Sequence, residues 1–363
     1  FDYSGGATCP SLLLEPSRSN IIYHSEYLDG APYKSRVIFT ENAIVSPEGV
    51  QNASKIVPTS VSGTHALDYI PNVVVSDYTM SVYAKAGEYS KFLLLTNNRG
   101  SNEAIGFDLS DASTFVNDLG YATPSADAVS IEAVGNDWYR CSMKYAKNST
   151  GTSGNGIYMT NDAGATTFVG NDSDGMYFWG WQMEAGSYRT SYIPTYGVSQ
   201  TRANEDCEII SAASLIGQTE GTAYAEINHI QGTESLGVFM NNGSGSNYGY
   251  LVAFYISSGN IPIFVINNNT GQVSIQGTTP LNSGTHKLAI AYKENDFALY
   301  VNGVQIGTDS SGTIPALNDL YIGQYKDNVA RNGNKKQVLL FKTRLSNLDL
   351  AILTGATTYN TFA

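Results

Sequence analysis

The sequence predicts an all-β protein built from two tandem antiparallel β-sandwiches, with one short helix near its end. Three observations lead there. Only 14% of the 363 residues are charged, while Gly (36) and Tyr (25) are abundant, the usage of turn-rich β proteins. Strand-length apolar or alternating runs recur between clusters of Gly, Asn, Asp and Ser, and no long stripe at the helical period interrupts them. The length exceeds the ~100–200 residues of one domain, so two cores are expected.

In the first half the strands are "SKIVPT", "YTMSVYAKAG", "KFLLLTNN", "AIGFDLS", "VSIEAV", "WYRCSMKYAK", "GIYMTN" and "MYFWGWQMEAG". Alternation places Tyr78, Met80, Val82 and Ala84 on one face and Thr79, Ser81, Tyr83 and Lys85 on the other. The pattern lapses in "TRANEDCEIISAASLIGQTEG", which sets the division: a first domain over 1–203, a linker over 204–219 and a second domain over 220–363. In the second domain "KEND" and the Asn302–Gly303 pair supply hairpin turns. The helix is "SNLDLAILTG", with Ser346 to cap it, Asp349 at the capping-box position and Gly355 to end it.

A formal charge of −12 and a pI near 4.7 argue against a nucleic-acid partner, which calls for clustered Lys and Arg. No run of about 18 apolar residues is present, so no membrane insertion is expected. Cys9, Cys141 and Cys207 are scattered without C-x-x-C spacing and are expected to be free, buried thiols. A start at Phe1 reads as a fragment or a trimmed product.

The tests for chemistry find no catalytic residues. His24, His65, His229 and His286 are dispersed, without metal-ligand spacing. Glu226 stands alone where glycoside hydrolysis would need two facing carboxylates, and no G-x-S-x-G elbow or phosphate-cradling loop occurs. "GNDSDGMY" offers Asp172 and Asp174 as weak calcium ligands, but it lacks the acidic first ligand and closing Glu of an EF-hand. A plain Asx-rich turn fits it better.

The first half resembles a family of β-sandwich modules of bacteriophage virion proteins, of head-spike, tail-fibre or carbohydrate-binding-like type. The resemblance lies in "LLLEPSRSNII", "YTMSVYAKAGE", "NDWYRCSM" and "GWQMEAGSYRTSYIPT" followed by "TRANED". The second half is similar to the concanavalin A-like, laminin-G-type jelly roll, through "HKLAIAYKENDFALYVNGVQIG" and "LSNLDL". The resemblance implies a non-enzymatic fibre or spike module on the phage particle surface, made in the cytoplasm of its bacterial host. It further implies a homotrimer that contacts other virion proteins and binds a host surface polysaccharide. It implies no cofactor beyond a structural calcium. A purely structural decoration protein and a polysaccharide lyase or depolymerase remain as alternatives. Arg18 and Glu184 lie in the two most family-like stretches and are expected to form a structural ion pair closing the first domain.

Sugar recognition pairs an aromatic face with planar amides. The loop "MNNGSGSNYGYLVAFY" supplies Asn241, Asn242, Asn247, Tyr248 and Tyr250 for this purpose, and "NNRGSNE" supplies Asn97, Asn98 and Arg99 as the alternative site.

Overall fold

The structure, a computed structural model, describes residues 12–98, 101–243, 251–267, 270–325 and 334–355. It is all-β and antiparallel, with one α-helix among the described residues. Two compact units divide the chain: Arg18–Arg202, and Ala203–Ala363 together with Phe1–Ser17.

The unit 18–202 is a sandwich of two six-stranded sheets. One has the order Val129–Gly135, Trp138–Lys147, Ser76–Lys85, Met176–Ala185, Ala53–Pro58, Val37–Ile44. The other runs Ser113–Val116, Ser101–Asp108, Lys91–Asn98, Gly154–Met159, Ala66–Tyr69, Tyr33–Ser35. The alternation in Ser76–Lys85 decides which side is core: Tyr78, Met80, Val82 and Ala84 join the buried cluster with Phe92, Leu94, Phe107 and Trp181.

The other face of that strand is also covered, by the returning segment after Ala185. Gly180, at φ 63°, kinks the strand where its register on Ser76–Lys85 shifts, and Gly186, at φ 146°, turns the chain back. Buried polar side chains then hold the return. Glu184 accepts hydrogen bonds from the Thr190 amide (2.7 Å), the Thr190 hydroxyl (2.6 Å) and Gln182 Nε2 (2.8 Å). Gln182 Oε1 accepts from the Ile193 amide at 2.7 Å. Asn20 donates to the carbonyls of Trp181 and Ile193 and accepts from the amides of Ile22 and Met183. Thr195 and Ser25 exchange bonds through Thr195 N to Ser25 Oγ (2.8 Å) and Ser25 N to Thr195 Oγ1 (3.1 Å). Arg140, also buried, donates to the Thr190 carbonyl at 2.7 Å. Each bond satisfies a group that burial would otherwise strand.

Arg18 Nε stands 4.0 Å from Glu184 Oε2, and the Arg18 guanidinium lies 5.4 Å from the centre of the Tyr188 ring. The shortest contacts of Glu184 are therefore with Thr190 and Gln182, and the charge of Arg18 acts from further off. Beside it, Arg18, Ser19 and Asn20 pair with Arg202, Thr201 and Gln200, so this unit begins and ends side by side.

The second unit packs a six-stranded sheet, including Ser235–Asn241, Leu251–Ile256 and Pro262–Asn267, on a five-stranded one, including Gly284–Lys293 and Glu220–His229. Val238, Phe254, Phe264, Leu288, Ile290 and Leu299 lie in its core. Asn295, Asn302 and Gly303 take positive φ at the two predicted hairpin turns. The helix Asn347–Thr354 is capped by Ser346, whose hydroxyl accepts from the Asp349 amide at 3.1 Å, and it ends at Gly355.

Two boundaries differ from the sequence expectation. Residues 12–17, expected in the first domain, belong with the second unit: Leu12 pairs with Lys335, and Glu15 exchanges bonds with Glu205. The expected linker 204–219 is built into the same unit. Glu208–Ile209 pairs with Asp319–Ile322, and Ala212 and Ile216 are buried in its core. Cys141 is free and buried and Cys207 is free but only partly buried, while Cys9 lies outside the described residues.

Two expectations follow. A protein in which Ser17 is joined directly to Ala203 should fold, and should melt higher than residues 203–363 alone, by about 5 °C. That shift corresponds to the ~2 kcal/mol lost with a buried leucine such as Leu14; equal melting temperatures would show that residues 12–17 contribute nothing. Within 18–202, Glu184→Ala should cost about 3 kcal/mol in denaturant unfolding, because it strands the Thr190 amide in a buried site.

Candidate functional site

The second sheet of the unit 18–202 turns one face to the core with Leu67, Tyr69, Phe92, Leu94, Ile105, Phe107, Ile157 and Met159. A strand alternates sides at each residue, so the register defines the opposite face as rows. One row crosses five strands: Tyr33 pairs with Asp68, Asp68 with Gly156, Gly156 with Leu95, and Leu95 with Ala104. The next runs Ser35, Ala66, Tyr158, Leu93, Gly106, Phe115. Leu93, Leu95 and Ala104 form a small buried cluster under Phe115, Leu119, Tyr121 and Tyr158.

The far end of this face is covered by the segment 117–122. Ala122 exchanges backbone bonds with Ala104 and Asn102, and Asn117 ties the turn through the Ala104 carbonyl (3.0 Å) and the amides of Leu119 and Tyr121. Towards the other edge, Tyr33 is 55% exposed beside Asp68. Between them Gly156 has no side chain, and a Cβ there would meet Asp68 Oδ1 and the Tyr158 ring. The glycine lets the carboxylate and the ring close over bare backbone.

Asp68 is the anomaly of this face. It is half-buried, and Tyr158, the one hydrogen-bond partner seen for it among the described residues, reaches it at 3.4 Å. Burial pushes its pKa up to about 6, against a small lowering by the Tyr158 hydroxyl. Burial likewise raises Tyr158, with the Asp68 charge adding to it. An under-partnered carboxylate beside two tyrosines and a bare backbone can accept hydrogen bonds from vicinal hydroxyls while the rings pack on C–H groups. Glu103, an acid on a nearby strand, lies on the other side of the sheet, since the register sets it opposite the buried Thr96.

The residues singled out from sequence are spread over other places. Asn97 pairs with Gly154 and Asn102, one row from Asp68, and Asn98 pairs with Ser101. Arg99 lies outside the described residues, as do Asn247, Tyr248 and Tyr250. Asn241 is 2% exposed and its Oδ1 accepts from the Gly243 amide at 2.6 Å; it holds the turn rather than a surface. Asn242 is partly buried in the same turn. Asp172 accepts from the Ser60 amide at 2.9 Å, and Asp174 accepts from Asn171 Nδ2 at 2.6 Å. Among the described residues no three His, Cys, Asp or Glu side chains are grouped to hold a metal, and Asp172 and Asp174 serve the hydrogen bonds of an Asx-rich turn.

The fold also assembles groups that the sequence shows as dispersed. His229 Nδ1 is 2.9 Å from Ser235 Oγ and its Nε2 is 3.1 Å from Asn260 Oδ1, a chain with the outline of a nucleophile, base and orienting group. Ser235 is 0% and His229 1% exposed. No substrate reaches that hydroxyl, and burial lowers the His229 pKa, as expected of a structural imidazole.

Residues 203–351 match the profile of the concanavalin A-like lectin/glucanases superfamily. No curated protein matches the chain. Solved structures similar to part of it include the CBM40 module of the Ruminococcus gnavus IT-sialidase bound to alpha2,3 sialyllactose, at 15% identity over 42% of this chain and 97% of that one, with a TM-score of 0.36. A SAP-like pentraxin from Limulus polyphemus is 15% identical over 40% of this chain and 74% of that one, with a TM-score of 0.33. The NanB sialidase from Streptococcus pneumoniae is 11% identical over 41% and 27%, with a TM-score of 0.34. Likenesses this partial carry no argument about function.

The raised pKa makes Asp68 a cost at neutral pH. The folded state binds the proton more tightly than the unfolded chain does, so the penalty is full above pH 6 and fades as the pH falls towards 4. Asp68→Asn should therefore stabilise the protein at pH 8 by about 1–2 kcal/mol and leave it unchanged at pH 4. A melting temperature that falls equally at both values would contradict this.

Proposed function

We propose that the chain is a non-catalytic glycan-binding protein and that the outer face carrying Tyr33, Asp68, Gly156 and Tyr158 is its sugar site. The observation that carries the reading is Asp68: a half-buried carboxylate with one hydrogen bond, at 3.4 Å, set beside the bare backbone of Gly156 and the rings of Tyr33 and Tyr158. Residues that lower stability without a local reward concentrate at functional sites. The lectin-type profile over residues 203–351 agrees with such a role for the chain as a whole, although that superfamily includes glucanases.

The ligand class is a hydroxyl-rich saccharide, with hydroxyls donating to Asp68 and one C–H face on the tyrosines. In this reading the protein is a fibre or spike component on the surface of a phage particle, a homotrimer with virion proteins as further partners. The support for that setting is the sequence resemblance of the first half.

A glycan array probed with the whole chain tests the function. Binding should be saturable, release no new reducing or unsaturated ends, and weaken at least tenfold in Asp68→Asn and in Tyr158→Ala. That factor is about 1.4 kcal/mol, the scale of one charge-assisted hydrogen bond. Released ends would make the protein an enzyme. No glycan bound, with tight association to a capsid or tail protein, would leave a structural role.

A further inference from the structure

A second surface of the unit 18–202 has a different chemistry. Tyr196 and Tyr27 are 71% and 53% exposed, more than tyrosines serving a core would be. Tyr196 pairs with His24 in an isolated bridge, and the His24 ring lies 6.2 Å from that of Tyr27. Beside Tyr196 is Glu26. Its Oε1 accepts from the hydroxyls of Tyr192 and Tyr196, each at 3.2 Å, and its Oε2 accepts from Asn52 Nδ2 at 3.2 Å. The same Asn52 nitrogen reaches Glu48 Oε2 at 3.4 Å, so one amide bridges two carboxylates.

The charge there is uncompensated. Among the described residues neither Glu26 nor Glu48 has a lysine or arginine in its ion-pair or hydrogen-bond contacts, unlike the paired acids Asp29, Glu88, Asp108 and Glu132. Burial, and to a lesser degree the Glu48 charge, holds the Glu26 carboxyl above its ordinary range against the hydrogen bonds it receives. Asn52 Oδ1 is itself buried with no donor. The spot thus has acceptors in excess, two carboxylates without a basic side chain, and one exposed tyrosine ring. This combination favours a cation: a ring face attracts positive charge through its quadrupole, and partly desolvated carboxylates add to the attraction.

We propose that this surface binds an organic cation, a ligand bearing a protonated amine or a quaternary ammonium group. Such a group seats against the exposed Tyr196 ring with its charge towards Glu26 and Glu48. The site uses none of the residues of the Asp68 face and does not depend on it. A simple acid turn would bind metal ions or nothing; the Tyr196 ring is what selects an organic cation.

The test is an NMR titration of the full chain at fixed ionic strength with choline chloride, glucosamine hydrochloride, glucose and potassium chloride. Choline, glucosamine or both should saturate below about 50 mM, shifting signals of residues 24–27, 48–52 and 192–196, while glucose and potassium do not. Choline alone would indicate quaternary ammonium ligands, and glucosamine an amino sugar. Tyr196→Ala removes an exposed ring and should weaken binding at least fivefold without lowering the melting temperature; Glu26→Gln should do the same to binding. Asp68→Asn should leave it unchanged, which separates this site from the glycan face. Failure of both cations to saturate, a potassium response equal to theirs, or full binding by folded Tyr196→Ala would overturn the proposal.

Discussion

The sandwich of residues 18–202 depends on the buried line of Glu184, Gln182, Asn20 and Thr195. The strand Met176–Ala185 is covered on both sides, by the core on one and by its own returning chain on the other. A return laid over a sheet face buries backbone groups that no ladder satisfies. Here the Thr190 amide goes to Glu184, the Ile193 amide to Gln182, the Ile193 carbonyl to Asn20 and the Thr195 amide to Ser25. The price is desolvation of a carboxylate, offset by three short hydrogen bonds. Closing that face brings 18–20 beside 200–202.

The same reasoning explains what was legible in sequence. Local signals were: the alternation of Tyr78 to Lys85, the positive-φ turns at Asn295 and Asn302–Gly303, and the Ser346 cap all act within a few residues and are written in neighbouring residue types. The segment after Gly180 was legible as strand, break and return, and the expected partners Arg18 and Glu184 stand 4.0 Å apart, but the closer bonds of Glu184 to Thr190 and Gln182 were not legible.

The proposed site was not legible, because its residues meet only in the register. Tyr33, Asp68, Gly156 and Leu95 stand in one row drawn from four strands far apart in the chain. Asp68 looks like any polar residue between Leu67 and Tyr69, and its oddity appears only when Gly156 and Tyr158 are placed beside it. Asn241, which composition favoured as a sugar contact, is spent on its own turn. Polar loop composition cannot separate an amide that serves a ligand from one that serves the backbone. The apolar content of "CEIISAASLIG" was likewise hidden by the polar residues around it, although Ala212 and Ile216 are core.

One face of the first unit is thus closed by satisfied polar groups and another keeps an acid short of partners, and that difference is the centre of the account. Carboxyl carbon NMR of Asp68 measures it directly. The carboxyl should titrate with a midpoint near 6 in the free protein and shift to lower pH when a saccharide that donates to the carboxylate is bound. A midpoint at the ordinary aspartate value, unmoved by any glycan that the protein binds, would contradict it.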